Sequence, residues 1–168
     1  KTMDNLMIGG AMADTLLAAK IVNVGKSLYE KDLKSAALDI LERAEDHGCT
    51  VWLPEDVVVT TELEKHAPCT IAPVKKIPAK GMAIDIGPAT VEAYAKVLRE
   101  SKTIIWNGPV GAFELSPFDA STVHLARVVA ELSTSKKAQS IHSPQAPVSC
   151  CHWRAFCLKT VRLGPTQF

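Results

Sequence analysis

Several features that would assign a function class are missing from this sequence. Its 168 residues contain no apolar run near the roughly 18 residues that suggest a membrane span. No signal peptide opens the chain, so a cytoplasmic protein with no membrane partner is the default expectation. The five cysteines are odd in number and argue against a disulfide framework. We expect Cys49 and Cys69 to be reduced, partly buried thiols.

Long blocks of one charge are also missing, although the net charge of +1 is divided unevenly. Residues 1–135 carry 14 basic and 18 acidic side chains, whereas residues 136–168 carry five basic side chains and no acidic ones. The first part is net acidic and the second has no regular basic stripe, so we expect no nucleic-acid partner. The segment from Gly9 to Met12 is not a Walker-type phosphate loop, because no Gly-Lys-Ser/Thr follows it.

The sequence does contain short apolar strands that alternate with amphipathic helices. Strands are predicted near residues 6–8, 50–53, 57–60, 82–86 and 103–106. Helices are predicted near residues 12–20, 33–44 and 88–98, and after Ser116-Pro117 as N-cap and first helical residue. Residues 65–79 contain three prolines and suggest a loop or short edge strands. We therefore predict an α/β fold: a three-layer, mainly parallel Rossmann-like sheet with flanking helices, incomplete at both ends.

Helical periodicity also predicts which side chains face the core. In the second helix the predicted buried stripe is Leu33, Ala36, Ala37, Ile40, Leu41 and Ala44. In the last helix it is Thr122, Leu125, Ala126, Val129 and Leu132.

The segment from Thr103 to Glu114 is the best candidate for a ligand site. Four strand-forming residues lead into Asn107-Gly108-Pro109, and Gly111 and Glu114 follow. In open α/β sheets, ligands bind beyond the carboxyl ends of such strands. Glycine lets the backbone approach a flat ligand closely, and a carboxylate can accept hydrogen bonds from paired hydroxyl groups.

This loop, with Trp106 before it and Phe113-Glu114 at its end, resembles part of the C-terminal, nucleotide-binding domain of phosphoglycerate kinases. Residues 4–13 resemble the strand-to-helix turn beside the adenine in that family, and residues 81–88 resemble its next nucleotide-side turn. The three segments occur in the family's order, and the resemblance covers roughly Met3 to Thr134.

The resemblance implies phosphoryl transfer between 1,3-bisphosphoglycerate and ADP, giving 3-phosphoglycerate and ATP in glycolysis. It also implies a usually monomeric, cytoplasmic enzyme with two domains and a magnesium–nucleotide substrate. By position, nine residues match nucleotide contacts of the family. Gly9, Gly10, Ala11, Leu28 and Gly87 match residues around the adenine, Asn107, Pro109 and Gly111 match the loop under ribose and phosphates, and Glu114 matches the acid that holds the ribose hydroxyls.

Simpler interpretations of these residues stay open at this point. Gly9-Gly10 also suits close helix–strand packing, Asn107 is a common turn former, and Glu114 is also explained as a solvated carboxylate at a helix start. Trp106 is interpreted as a core residue rather than a stacking platform, and Asp85 is assigned no chemistry.

No residue is nominated as catalytic or as a metal ligand. The family's Gly-Gly-Ala-Lys segment and its Gly-Gly-Gly-Asp-Thr loop, which supplies the magnesium carboxylate, do not occur in these 168 residues. The family binds 3-phosphoglycerate through an N-terminal domain that has no counterpart here. We therefore expect this chain alone to be inactive; the alternatives are a non-catalytic adenine-nucleotide-binding module and a truncated interaction piece.

Two units are predicted along the chain. Residues 1–135 form part of the nucleotide-binding domain, and residues 136–168 form a tail that does not resemble the family. One hypothesis for the tail is a frameshifted reading after about Ser135, with a spliced or engineered segment as the alternative. Sequencing the coding DNA tests the first, which fails if no shifted frame restores the phosphate loop.

Overall fold

The computed structural model describes residues 3–135, 138–142 and 156–161. These residues form a mixed α/β fold, which confirms the predicted class and its flanking helices. The elements in chain order are β1 Asn5–Gly9, α1 Gly10–Ala19, α2 Lys34–Asp46, β2 Thr50–Trp52, β3 Asp56–Thr60, β4 Cys69–Pro73, β5 Met82–Ile86, α3 Pro88–Arg99, β6 Thr103–Asn107, α4 Ala120–Thr134, β7 Gln139–His142 and β8 Phe156–Val161.

Five strands form the larger sheet, in the order β2-β1-β8-β6-β7. The pairs β1–β2 and β6–β7 are parallel, whereas β8 is antiparallel to both of its neighbours. Because β1 and β6 each run opposite to β8, they run parallel to one another. Ile8 and Asn107 pair with the same residue of β8, Cys157, so these two strands end at the same edge.

The other three strands form a separate antiparallel sheet in the order β4-β3-β5, with a register shift between Val58 and Val59. The larger sheet is therefore mixed and the smaller sheet is antiparallel. The antiparallel pairs were not predicted, because strand length and hydropathy do not encode the direction of pairing. β4 lies at an edge within the segment predicted as a loop or edge strands, and its last residue is Pro73. Proline is tolerated at an edge because it donates no ladder hydrogen bond.

The predicted tail contributes to the larger sheet. Strands β7 and β8 both lie after residue 135, although no periodic pattern predicted them. The division at residue 135 itself stays a prediction.

The start of α4 differs from the prediction. The helix begins at Ala120, after two turns in which Phe118 donates its N–H to Leu115 O at 2.7 Å and Ala120 to Pro117 O at 3.3 Å. These turns bury Phe118 in a cluster with Ile84 and Ala112, and this burial outweighs the local Ser-Pro helix signal. Within α4, Ala126 is exposed and Val128 takes its place in the core.

The predicted buried stripe of α2 is wrong for Leu33, Ala36 and Ile40, which are exposed, whereas Leu41 and Ala44 are half-buried. Ala37 alone is buried in that helix, whereas Leu33 and Ile40 keep 52% and 49% of their surface exposed. The described residues cover only the side of α2 that faces α1 and β2, so a stripe of usual width is only partly buried. Cys69 is also exposed, contrary to the prediction, and Cys49 is half-buried as predicted.

No helix in the described part of the chain is long and apolar enough to cross a bilayer. Trp106 is half-buried and packs against the largest core cluster, as predicted. That cluster is built from β1, β5, β6, α3 and α4 around Met7, Ile86, Ile104 and Leu125.

Tyr94 of α3 links this core to the strand ends. Its side chain is 1% exposed, and its hydroxyl group lies 2.7 Å from Ile8 O and 2.9 Å from Trp52 O. Burial raises the pKa of Tyr94, so the hydroxyl stays a donor. One side chain thus spans the carboxyl ends of β1 and β2.

We expect Tyr94→Phe to lower the free energy of unfolding by about 1–3 kcal/mol, because the one O–H donor that the buried carbonyl groups of Ile8 and Trp52 share is lost. Tyr29→Phe, at a half-buried tyrosine, is the matched control and should change it by no more than about 0.5 kcal/mol. Urea unfolding of the three proteins measures both. Equal midpoints for the parent and Tyr94→Phe would contradict this role.

Candidate functional site

The edge where β1 and β6 end brings two of the predicted site segments together. Gly9-Gly10 leads from β1 into α1, and residues 107–114, here named the site loop, follow β6. β1 and β6 lie on either side of β8, so they are separated by two strand spacings, or about 10 Å. Side chains and turns beyond their ends therefore share one ligand-sized space.

Gly9 and Val110 are in direct backbone contact at this edge. A Cβ atom on Gly9 would lie 2.8 Å from Val110 O, which is closer than Cβ atoms approach other heavy atoms in proteins. Gly10 has a φ of 60°, which lets the chain turn sharply into α1 and which other residues rarely adopt. The close-packing interpretation of Gly9 fits this contact, and close packing here also brings the two turns of the site together.

The end of β5 is the third segment that converges on the site loop. Ala112 donates its N–H to Ile84 O at 2.7 Å, and a Cβ on Gly111 would collide with the carboxylate of Asp85. Val110 donates its N–H to Thr122 Oγ1 of α4 at 3.1 Å. All three segments that resemble the family therefore meet at the site loop.

Several predicted site residues are open to solvent on this edge. Asn107 and Glu114 are exposed, and Ala11, Pro109 and Gly111 are half-buried. Glu114 precedes α4 by several residues, so its interpretation as a helix-start carboxylate is wrong. The polar groups of Asn107 and Glu114 are available to a ligand lying along the loop.

Leu28 projects from a loop that is fastened to the start of β5. Ser27 Oγ accepts the N–H of Ala83 at 2.9 Å, and Lys26 donates its N–H to Gly81 O at 2.8 Å. Leu28 itself keeps 59% of its surface exposed, which suits an apolar ligand face. Ser27 and Ala83 were missed by sequence reasoning, since no local pattern pairs segments so distant in the chain.

Gly87 is buried, and the structure gives it a packing role. A Cβ at this position would collide with the carboxylate of Asp56, which accepts the N–H groups of Ala89 at 3.1 Å and Thr90 at 2.8 Å. Asp56 thereby caps the N-terminus of α3. A direct contact between Gly87 and a nucleotide stays a prediction.

Two buried carboxyl groups, in α1 and in β5, have strongly raised pKa values. Burial raises the pKa of Asp14 in α1 to about 8. Burial also raises the pKa of Asp85 to about 7, while hydrogen bonds from Ser121 and from the Ile86 N–H act in the opposite direction. Both values lie far above the ordinary aspartate range.

The fit of the described residues to a magnesium ion is poor. Within residues 3–135 and the described strands after them, no three His, Cys, Asp or Glu side chains gather as a ligand set. A surface groove of about 540 Å³ lies elsewhere, on the outer face of α3, and is lined by Ala89, Glu92, Ala93, Lys96, Arg99 and Glu100. None of those residues belongs to the predicted site.

The fold and this edge define an α/β protein with a Rossmann-like arrangement of strands and helices. A structure of phosphoglycerate kinase from Coxiella burnetii matches with a TM-score of 0.78 and 37% identity, over 83% of this chain. The family profile described as phosphoglycerate kinase matches residues 1–150, a range that extends beyond residue 135. The chain belongs to the phosphoglycerate kinase family.

Curated relatives agree with this assignment. The chain is 51% identical to the phosphoglycerate kinase of Novosphingobium aromaticivorans over 140 residues and 49% identical to that of a Ruegeria species over 139 residues. Each match covers 83% of this chain but 35% of the relative. The chain therefore spans about a third of the length of the relatives that it matches.

We expect Asp14→Asn to stabilise the protein increasingly as the pH rises from 5 to 8. A carboxyl group whose pKa is raised on folding binds more protons in the native state, so its ionisation lowers the free energy of unfolding across that range. One pKa unit corresponds to about 1.4 kcal/mol, and a gain of at least about 1 kcal/mol is expected at pH 7.

Asp39→Asn, at an exposed position of α2, is the control and should change little. Urea midpoints of the three proteins at pH 5, 6, 7 and 8 measure the effect. A constant difference between Asp14→Asn and the parent over this range would contradict it.

Proposed function

We propose that the edge formed by Gly9-Gly10 and the site loop binds the nucleoside part of ADP or ATP. The observation that carries the proposal is the convergence of three family-like segments on one edge, with Asn107 and Glu114 exposed there. Glu114 accepts hydrogen bonds from the ribose hydroxyls, and Asn107, Pro109 and Gly111 lie under the ribose and the first phosphate.

The adenine is proposed to lie between the Gly9-Gly10-Ala11 turn and Leu28. Leu28 offers an exposed apolar side chain on a loop that Ser27 fastens to β5. Gly87 contributes indirectly, since it lets Asp56 hold the turn between β5 and α3. The predicted contacts therefore divide into residues that meet the ligand and one that supports them.

For the whole family protein, the proposed reaction is phosphoryl transfer between 1,3-bisphosphoglycerate and ADP, giving 3-phosphoglycerate and ATP in the cytoplasm. Magnesium bound to the nucleotide would supply neutralisation of the phosphate charge, and no residue of this chain is proposed to hold it. Phosphoryl transfer depends on positioned cations and donors around the phosphates. Within the 168 residues no segment resembles the family's phosphate loop, so we propose that this chain binds nucleotide without turnover. Phosphoglycerate-dependent ATP formation above background would contradict this.

A second candidate is an interaction piece that never binds nucleotide. It is favoured by the exposed apolar side chains of Leu33, Leu38 and Ile40 on and beside α2, which are of the kind that protein interfaces cover. This candidate predicts association without nucleotide affinity, so the titration below separates the two.

We expect the chain to bind ADP, and Glu114→Ala to weaken binding about 10- to 100-fold, because hydrogen bonds to a charged acceptor contribute about 1.5–3 kcal/mol. The measurement is calorimetric titration with ADP and with 2′,3′-dideoxy-ADP. The parent should bind 2′,3′-dideoxy-ADP more weakly than ADP, whereas Glu114→Ala should bind the two ligands equally. That pattern would assign the binding energy of Glu114 to the ribose hydroxyls.

Glu131→Ala removes an exposed glutamate at the far end of α4 and should bind both ligands as the parent does. Absence of binding by a parent that circular dichroism shows to be folded would refute the nucleotide site. Equal losses on the deoxy ligand in the parent and in Glu114→Ala would refute the role of Glu114 alone.

A further inference from the structure

Asp85 occupies the point where three elements of the site meet. It lies in β5, is 5% exposed, and matches none of the nucleotide contacts described above. Its Oδ1 accepts the N–H of Ile86 at 2.9 Å, and its Oδ2 accepts the N–H of Ser121, in the first turn of α4, at 3.3 Å. The same carboxylate fills the space that a side chain on Gly111 would need.

The contacts of Asp85 lie between the two other fastenings of the site loop. On one side, Ala112 bonds to Ile84 O of β5; on the other, Val110 bonds to Thr122 of α4. The Ser121 hydroxyl donates to Ile86 O at 2.9 Å, which forms a second hydrogen bond between α4 and β5. Gly111, between Val110 and Ala112, rests against the carboxylate itself. The contact between Gly111 and the Asp85 carboxylate therefore determines how closely the site loop approaches β5.

In its ionised form, which dominates above a pH of about 7, Asp85 suits this position because it offers two acceptor oxygens to N–H groups from two different elements. Asparagine has the same shape but only one acceptor, so one of the two N–H groups would face another donor. No lysine or arginine of the described residues forms an ion pair with Asp85, and an uncompensated buried carboxyl group lowers stability. Carboxyl groups kept in such surroundings occur preferentially at functional sites.

We propose that Asp85 is a positioning residue of the nucleotide site, which holds the site loop at the depth where Asn107 and Glu114 meet the ribose. This proposal rests on the function proposed above. Asp85 is buried behind Gly111 and acts through the loop, so it does not contact the nucleotide.

The test compares the parent with Asp85→Asn by calorimetric titration with adenosine, a probe without phosphate groups. Both proteins are used at a temperature where circular dichroism shows them to be folded, so that unfolding does not contribute to the affinity. We expect adenosine to bind about 10-fold more weakly to Asp85→Asn.

Amide hydrogen exchange of the same proteins without ligand supplies the readout that a merely stabilising residue would not move. Exchange of Val110 and Ala112 should be accelerated more in Asp85→Asn than exchange of Leu98 in the core, which reports any change in global stability, because local opening and global unfolding are separate events. Val97→Ala is the control: it lowers the unfolding midpoint from the far end of α3 and should change neither the affinity nor the exchange of Val110 and Ala112.

A measurement on the parent alone covers the case in which Asp85→Asn does not fold. Coupling between binding and positioning is reciprocal, so saturating adenosine should slow the exchange of the Ile86 and Ser121 amides. Unchanged exchange there would overturn the proposal.

The failure of this proposal is distinguishable from the failure of the function. A folded parent that binds no adenosine refutes the function and the proposal with it. A parent that binds, with an Asp85→Asn variant of equal affinity and equal loop exchange, refutes the positioning role alone.

Discussion

Backbone contact between Gly9 and Val110 joins two segments that are far apart in the chain, and the candidate site depends on it. The carbonyl oxygen of Val110 lies 2.8 Å from the point where the Cβ of a side chain on Gly9 would be, and Val110 is completely buried. Protein interiors are packed as densely as organic crystals, so the distance between Gly9 and Val110 cannot change without displacing neighbouring atoms. Asn107 and Glu114, the exposed polar residues before and after Val110 in the site loop, are therefore held near the first turn of α1.

The surrounding structure repeats one device around this contact. A buried side chain of one element forms hydrogen bonds with backbone groups at the end of another. Asp85 accepts an N–H group at the start of α4, Asp56 accepts N–H groups at the start of α3, and the Tyr94 hydroxyl donates to carbonyl groups near the ends of β1 and β2. Free groups at helix starts and strand ends are costly when buried. Each of these side chains thus satisfies a local need and fixes one boundary of the site.

The sequence was sufficient for the elements whose signals are local. The strand at residues 82–86 and the proline start of α3 are confirmed at their predicted positions, because apolar runs and N1 prolines act within a few residues. The direction of β5, the late start of α4 and the exposed face of α2 were missed. Each depends on distant residues: β5 pairs with β3, Phe118 packs against Ile84 and Ala112, and none of the described residues covers Leu33 and Ile40.

The same division holds for the candidate site. Its loop was predicted from Asn107-Gly108-Pro109 and its resemblance, since these residues carry their own turn chemistry. Asp85 and Ser27 carried no such signal, because their partners at Ser121 and Ala83 lie far along the chain. The roles of the nine nucleotide-contact residues stay predictions, and Gly87 is the one whose surroundings argue for an indirect role.

Strand β8 separates β1 from β6 and so sets the width of the edge on which the site stands. Its ladders to both neighbours are made by main-chain groups, which carry no information about side-chain identity. Loss of either ladder would free the two turns to separate. The spacing across the candidate site therefore depends on main-chain hydrogen bonds to a strand that contains none of the predicted site residues.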